Sequence, residues 1–176
     1  MAYAALVPLF AEPFVVWKNM KDKETLKVLV CGDDPPVSRE VEDRLAELGH
    51  TVVKKGGNTD DLLNSVSVTK PDLVFVAGTS PREQCLAIIR EIQRFRPVPL
   101  ILLAEQASPS LLHKADSAGA SWVLKVPADS SAVAGAIDFA LVRHQDLLEL
   151  RNLRERMKKT VREFVHRVKN DLSVIT

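Results

Sequence analysis

Residues 27–50 read KVLVCGDDPPVSREVEDRLAELGH. An apolar, β-branched run ends in a Gly-Asp-Asp-Pro turn, and an amphipathic segment follows from Val37 to Leu48, closed by Gly49. A strand that is apolar at nearly every position is covered on both faces, as strands of a parallel sheet are. Proline stands where a helix can begin and glycine where it must end. The stretch is therefore one strand-turn-helix unit, and the fold depends on whether the unit recurs.

It recurs along the chain. The expected strands are LKVLVC (26–31), TVVK (51–54), DLVFVA (72–77), VPLILLA (98–104) and SWVLK (121–125). Between them lie helix patterns at Val37–Leu48, about 60–68 ahead of Pro71, Pro81–Phe95 and Ser108–Ala118, the last closed by Gly119. Strands alternating with helices predict an α/β fold, a doubly wound five-stranded parallel sheet in which ligands bind beyond the carboxyl ends of the strands.

After Pro127 the turn residues stop. From about Asp129 only Gly135 interrupts a helical pattern that reaches the end of the sequence. With Leu147 at heptad position a, the a/d seam takes Leu150, Met157, Val161, Phe164, Val168 and Ile175, with Arg154 and Asp171 as its polar exceptions. That pattern predicts a stalk: a parallel dimeric coiled coil, or the first helix of a helical hairpin bundle. The domain plan is an apolar leader over 1–24, an α/β domain over 25–128, and a long dimerising helix over 129–176.

Composition narrows the functional classes. The chain has 176 residues, 46% apolar and 27% charged, which suits one packed domain with an appendage and is too short for two enzymatic domains. Net charge is only +1, so a basic character is confined to the stretch from Arg143 to Asn170. Two isolated cysteines, Cys31 and Cys85, suggest neither a zinc site nor a disulfide framework, and a reducing cytoplasm is the expected location. The leader MAYAALVPLFAEPFVVW carries Pro8, Glu12 and Pro13 and falls short of a bilayer span of about 20 residues, so no membrane association is expected. The Gly56–Gly57 pair lacks the lysine and hydroxyl of a nucleotide-binding loop.

In order and spacing, KVLVCGDDPPVSREVEDRLAELGH, KPDLVFVAGTSP, RPVPLILLAE and SAGASWVLKVP resemble the receiver domains of two-component response regulators, over roughly residues 25–142. The resemblance implies the flavodoxin-like receiver fold. It also implies a pocket that needs an acidic pair for magnesium, an aspartate to accept a phosphoryl group, a hydroxyl, and a lysine. Here the acidic pair falls on Gly32 and Asp33, so one of its two carboxylates is absent although Asp34 follows, the phosphoacceptor falls on Ala77 and the hydroxyl on Ala104, and Lys125 is retained. Glu105 adds negative charge beside Ala104, and Val126 displaces the proline that normally follows the lysine to Pro127. Alanine has no nucleophile, and Thr79 and Ser80 have no base near in sequence. The resemblance is to a pseudo-receiver: Asp33, a weak metal candidate, is read with Lys125 as a structural ion pair. Trp122 occupies the aromatic switch position and is expected to cover apolar surface.

A second resemblance lies in the stalk. EFVHRVKNDLSVI (163–175) is similar to the histidine box of the HisKA_2 and HWE groups of sensor histidine kinases, matching at Glu163, His166, Arg167, Val168, Lys169, Asn170, Leu172, Val174 and Ile175. Val165 and Asp171 depart from that pattern. In the heptad register His166 takes position f, facing away from the seam, with Glu163 and Asn170 on the same helix face. The resemblance implies that His166 accepts phosphate, Glu163 orients or deprotonates the ring, and Arg167, Lys169 and Asn170 hold phosphate or the ATP-binding domain.

This chain has no ATP-binding domain of its own. Any ATP and magnesium would act through a catalytic domain outside it. The expected partners are a second copy through the C-terminal helix, a histidine-kinase ATP-binding domain and a receiver domain; nucleic acid is not expected. Two alternatives are a non-catalytic dimeric adaptor and a receiver-type RNA-binding antiterminator, whose basic helix would contact phosphates.

Overall fold

A computed structural model describes residues 25–32, 35–54, 59–78 and 82–173. The leader over 1–24, Asp33, Asp34, the Gly56–Gly57 pair, Thr79, Ser80, Val174 and Ile175 lie outside the described residues. Five strands, β1 (Lys27–Gly32), β2 (Thr51–Lys54), β3 (Leu73–Ala77), β4 (Leu100–Ala104) and β5 (Trp122–Lys125), pair in parallel in the order β2-β1-β3-β4-β5. Five helices accompany them: α1 (Pro35–Glu47), α2 (Thr59–Thr69), α3 (Arg82–Phe95), α4 (Pro109–Ala118) and α5 (Ser130–Ser173).

The central strands β3 and β4 are apolar throughout because their two faces feed two cores. Leu29, Cys31, Val74, Val76, Leu100 and Leu102 point to the side packed by Leu62 and Val66 of α2, Ile89 and Ile92 of α3, and Leu111 and Ala115 of α4. Their neighbours Val28, Val30, Leu73, Phe75, Ile101 and Leu103 point to the other side, covered by Val41 and Leu45 of α1 and by Val133, Ala136, Ile137 and Ala140 of α5. That is the alternation a pleated strand imposes, and it makes the sheet doubly wound as expected.

Element ends follow local chemistry. The Ser108 hydroxyl accepts from the Leu111 N–H and Pro109 fills the first turn of α4, while Gly119, at φ 103°, closes that helix in a left-handed turn. The Asp129 carboxylate accepts from the Ala132 N–H at 2.7 Å, capping α5. β3 begins at Leu73, one residue later than expected, and the Asp72 carboxylate just before it accepts from the Lys27 N–H at 2.9 Å.

The chain divides into two units after His144. Within the first, the α5 stripe Val133, Ala136, Ile137, Ala140 and His144 is buried at helical spacing. Within the second, every side chain from Glu149 to Leu172 is exposed. Among the described residues no helix is long and apolar enough to cross a membrane.

Candidate functional site

The sheet register brings the receiver-like positions together. Gly32 stands opposite Ala77, Ala77 opposite Leu103, and Ala104 opposite Lys125, so all four positions lie at the carboxyl ends of neighbouring strands. The sequence spacing therefore locates one pocket edge. The side chains there do not make a phosphoryl site: Ala77 and Ala104 are buried methyl groups, while Glu105 and Lys125 are exposed.

Backbone geometry goes further than the missing side chains. Gly32 has φ 144°, and a Cβ built on it would lie 1.7 Å from the Ala77 carbonyl oxygen and 2.5 Å from its carbon. No L-residue fits that position unless β1 and β3 separate. The acidic residue is thus not merely replaced; the strand has closed over the space its side chain would need. At Gly78 the nearest atom to an added Cβ is the Cys85 sulfur, at 1.9 Å, the end of a side chain and not backbone. Asp33, the one remaining acidic candidate, is outside the described residues. Gly32 and Ala77 offer no carboxylate, so these positions do not fit the magnesium ion that receivers hold.

The loop after β5 is tied to α1. Val126 is buried and its N–H donates to the Ala104 carbonyl at 3.0 Å; the Val126–Pro127 peptide is cis. The Ala128 N–H donates to Glu40 Oε1 at 3.0 Å, and the Ser130 hydroxyl donates to Glu47 Oε2 at 2.5 Å. That hydroxyl, together with Arg44 Nη1 at 3.0 Å, holds the Glu47 carboxyl below the usual carboxylate range. The start of α5 is fastened by α1 carboxylates that motif reading did not single out. At the edge strand, Trp122 packs on the C-terminal helix: its ring centroid lies 4.4 Å from that of Phe139 on α5, at an interplanar angle of 52°.

The second candidate constellation is on α5. Glu163, His166, Arg167, Lys169 and Asn170 are all exposed on continuous helix, which places Glu163, His166 and Asn170 on a common face by their spacing of three and four. The same segment exposes Met157, Val161, Phe164 and Val168 along the adjoining seam.

No family model matches the chain. The transcriptional regulatory protein PdtaR of Mycobacterium tuberculosis is 27% identical over 147 residues, covering 81% of this chain and 71% of that protein. Among solved structures, the signal receiver domain of the putative response regulator NarL from M. tuberculosis superposes with a TM-score of 0.58 at 20% identity, over 66% of this chain and 97% of that one. The chemotaxis response regulator CheY4 of Vibrio cholerae gives a TM-score of 0.57 at 16% identity, over 66% and 98%.

The fold is that of a response-regulator receiver domain. With strand order β2-β1-β3-β4-β5 and a transcriptional regulatory protein matching over 81% of the chain, the protein is response-regulator-like. What distinguishes this receiver is a pocket edge whose nucleophile position is alanine and whose first acidic position is sterically closed.

Proposed function

We propose that the protein is a two-component signalling module in which a receiver without a phosphoacceptor is joined to a dimerising helix bearing a histidine box, as the N-terminal part or a truncated relative of a hybrid histidine kinase. The observation that carries this reading is the contrast between the two candidate sites. Ala77 is buried without a nucleophile, whereas His166 is exposed beside Glu163 on the helix.

In the proposed step a ring nitrogen of His166 attacks the γ-phosphorus of ATP held by a separate catalytic domain. The N–P bond forms as the bond to the β-phosphate oxygen breaks, ADP leaves, and Glu163 takes up or orients the ring proton. Arg167, Lys169 and Asn170 offset charge on the transferred group or dock the ATP-binding domain. The phosphoryl group then passes to an aspartate of a partner receiver. The test supplies a HisKA_2-type ATP-binding domain and labelled ATP to the purified chain: the wild type should acquire acid-labile phosphate. His166→Gln should not, and full labelling of that variant would end the reading.

A second reading is favoured by one observation. The mycobacterial protein that matches over 81% of this chain is a transcriptional regulatory protein, and the stretch from Arg143 to Asn170 is locally basic. In this reading the basic part of α5 contacts RNA phosphates, as in receiver-type antiterminators. RNA affinity that falls steeply between low and moderate salt would support it, and no binding at low salt would dismiss it.

A further inference from the structure

The helix face around His166 carries a cation that no carboxylate one turn away answers. At spacings of three and four residues, where helix side chains meet, Arg162 faces Lys158, Lys159, Val165 and His166. None of these is acidic. Glu155 lies two turns back, roughly 10 Å along the axis. Its carboxylate is held by Lys158 at 2.9 Å, and Arg162 acts on it only as a weaker, more distant charge.

Arg167 is placed differently. Glu163 stands four residues before it and Asp171 four after, so carboxylates face it from both neighbouring turns. Arg162 instead has like charges on the turn before it and the His166 ring on the turn after, with Cβ atoms about 5–6 Å apart at that spacing. In the heptad register Arg162 falls at b and His166 at f, both on the outer side of the helix, so packing along the a/d seam leaves them uncovered. Both side chains are exposed. The two lysines repel the guanidinium toward His166, and a guanidinium offers a planar fork of donors that matches phosphoryl oxygens.

We infer that Arg162 is a phosphate-binding residue of the His166 site: its guanidinium draws an anionic phosphoryl donor to the ring and pairs with the oxygens of the group being transferred. The inference rests on the reading of His166 as a phosphoacceptor. It adds a residue that lies outside the matched segment 163–175, and the whole arrangement falls within the second unit, Gln145–Thr176.

The experiment measures two rates at His166 in the full chain, by mass spectrometry of neutral digests. Phosphoramidate is the anionic probe: a ring nitrogen attacks phosphorus as the donor's P–N bond breaks, ammonia leaves and the ring proton passes to water. Diethyl pyrocarbonate is the neutral probe, acylating the same ring with release of carbon dioxide and ethanol. The ratio of the two rates cancels changes in the ring's exposure or intrinsic reactivity, so a purely structural role of Arg162 would not move it. At low salt Arg162→Gln should lower the ratio about threefold and Arg162→Glu about tenfold, while Arg162→Lys should stay within about twofold of wild type; the differences should shrink in about 1 M salt. Exposed His113, with Pro109, Ser110, Asp116 and Ser117 at the same spacings, is the internal control and should respond to none of the three substitutions. A ratio unchanged in both Arg162→Gln and Arg162→Glu, or no phosphoramidate labelling of His166 in the wild type, overturns the inference. Neither probe needs an ATP-binding domain, so that failure is distinct from failure of the kinase reading, which labelling from ATP decides.

Discussion

Replacing Gly32 by alanine tests the closure of the receiver pocket directly. The added methyl meets two penalties. The φ of 144° lies in a region that only glycine adopts readily, which costs about 1–3 kcal/mol. The new Cβ would also fall 1.7 Å from the Ala77 carbonyl oxygen, against the 3.0 Å or more that real Cβ contacts keep, so β1 must move away from β3 at their last paired residues. Overpacking of that kind costs about 1–3 kcal/mol more. A total near 4 kcal/mol lowers the melting temperature by roughly 15 °C, at about 4 °C per kcal/mol for a domain of this size. Gly49→Ala is the control: its φ is 78° but nothing lies within 4 Å of the added carbon, so only the strain of about 1 kcal/mol applies. Thermal and urea unfolding followed by circular dichroism would measure both. If the two variants melt within about 3 °C of each other, the strands are not closed at Gly32 and the steric account of the lost acidic position is wrong.

Gly78→Ala should cost about 2 kcal/mol because its Cβ would fall 1.9 Å from the Cys85 sulfur; adding Cys85→Ala should recover part of that, and strictly additive urea midpoints would refute the contact. Gly135 sits inside α5 with nothing within 4 Å of an added Cβ, so Gly135→Ala should raise stability by about 0.5–1 kcal/mol, and a lower denaturation midpoint would refute it. Partial burial depresses the His50 pKa below its ordinary 6.5, with Asp138 opposing the shift, while Nδ1 accepts from the Leu26 N–H at 3.4 Å. The unfolded chain therefore binds more protons there: the contribution is complete above the ordinary value and is lost as pH falls below it toward the depressed folded value. His50→Gln should flatten the stability slope between about pH 7.5 and 5.5, and an unchanged slope would count against it.

Most of the sheet was legible because its strands carry their signal in composition. β2 spans Thr51–Lys54 as expected, and α1 begins at Pro35, two residues before the amphipathic pattern, since proline in the first turn costs no hydrogen bond. β4 begins at Leu100 and not at Val98, whose carbonyl is taken by the Gln93 side chain at 2.7 Å. The positions Gly32, Ala77, Ala104 and Lys125 were legible through the resemblance to receiver domains, and the strand register sets them side by side. The closure at Gly32 was not, because it depends on one φ angle and on how near a neighbouring strand's carbonyl comes, and neither leaves a mark in residue type. The Glu40 and Glu47 anchors of α5 were hidden for a related reason: their partners are 88 and 83 residues away in sequence.

A receiver responds to phosphorylation because a new charge in the pocket favours one packing over another, and a ligand can shift an equilibrium only by its differential affinity for the two states. With Ala77 and Ala104 buried as methyl groups and Gly32 pressed against the Ala77 carbonyl, phosphorylation at Ala77 cannot supply such a charge. The first turns of α5 are buried against the sheet beside Phe75 and Leu103, and the same helix continues to His166.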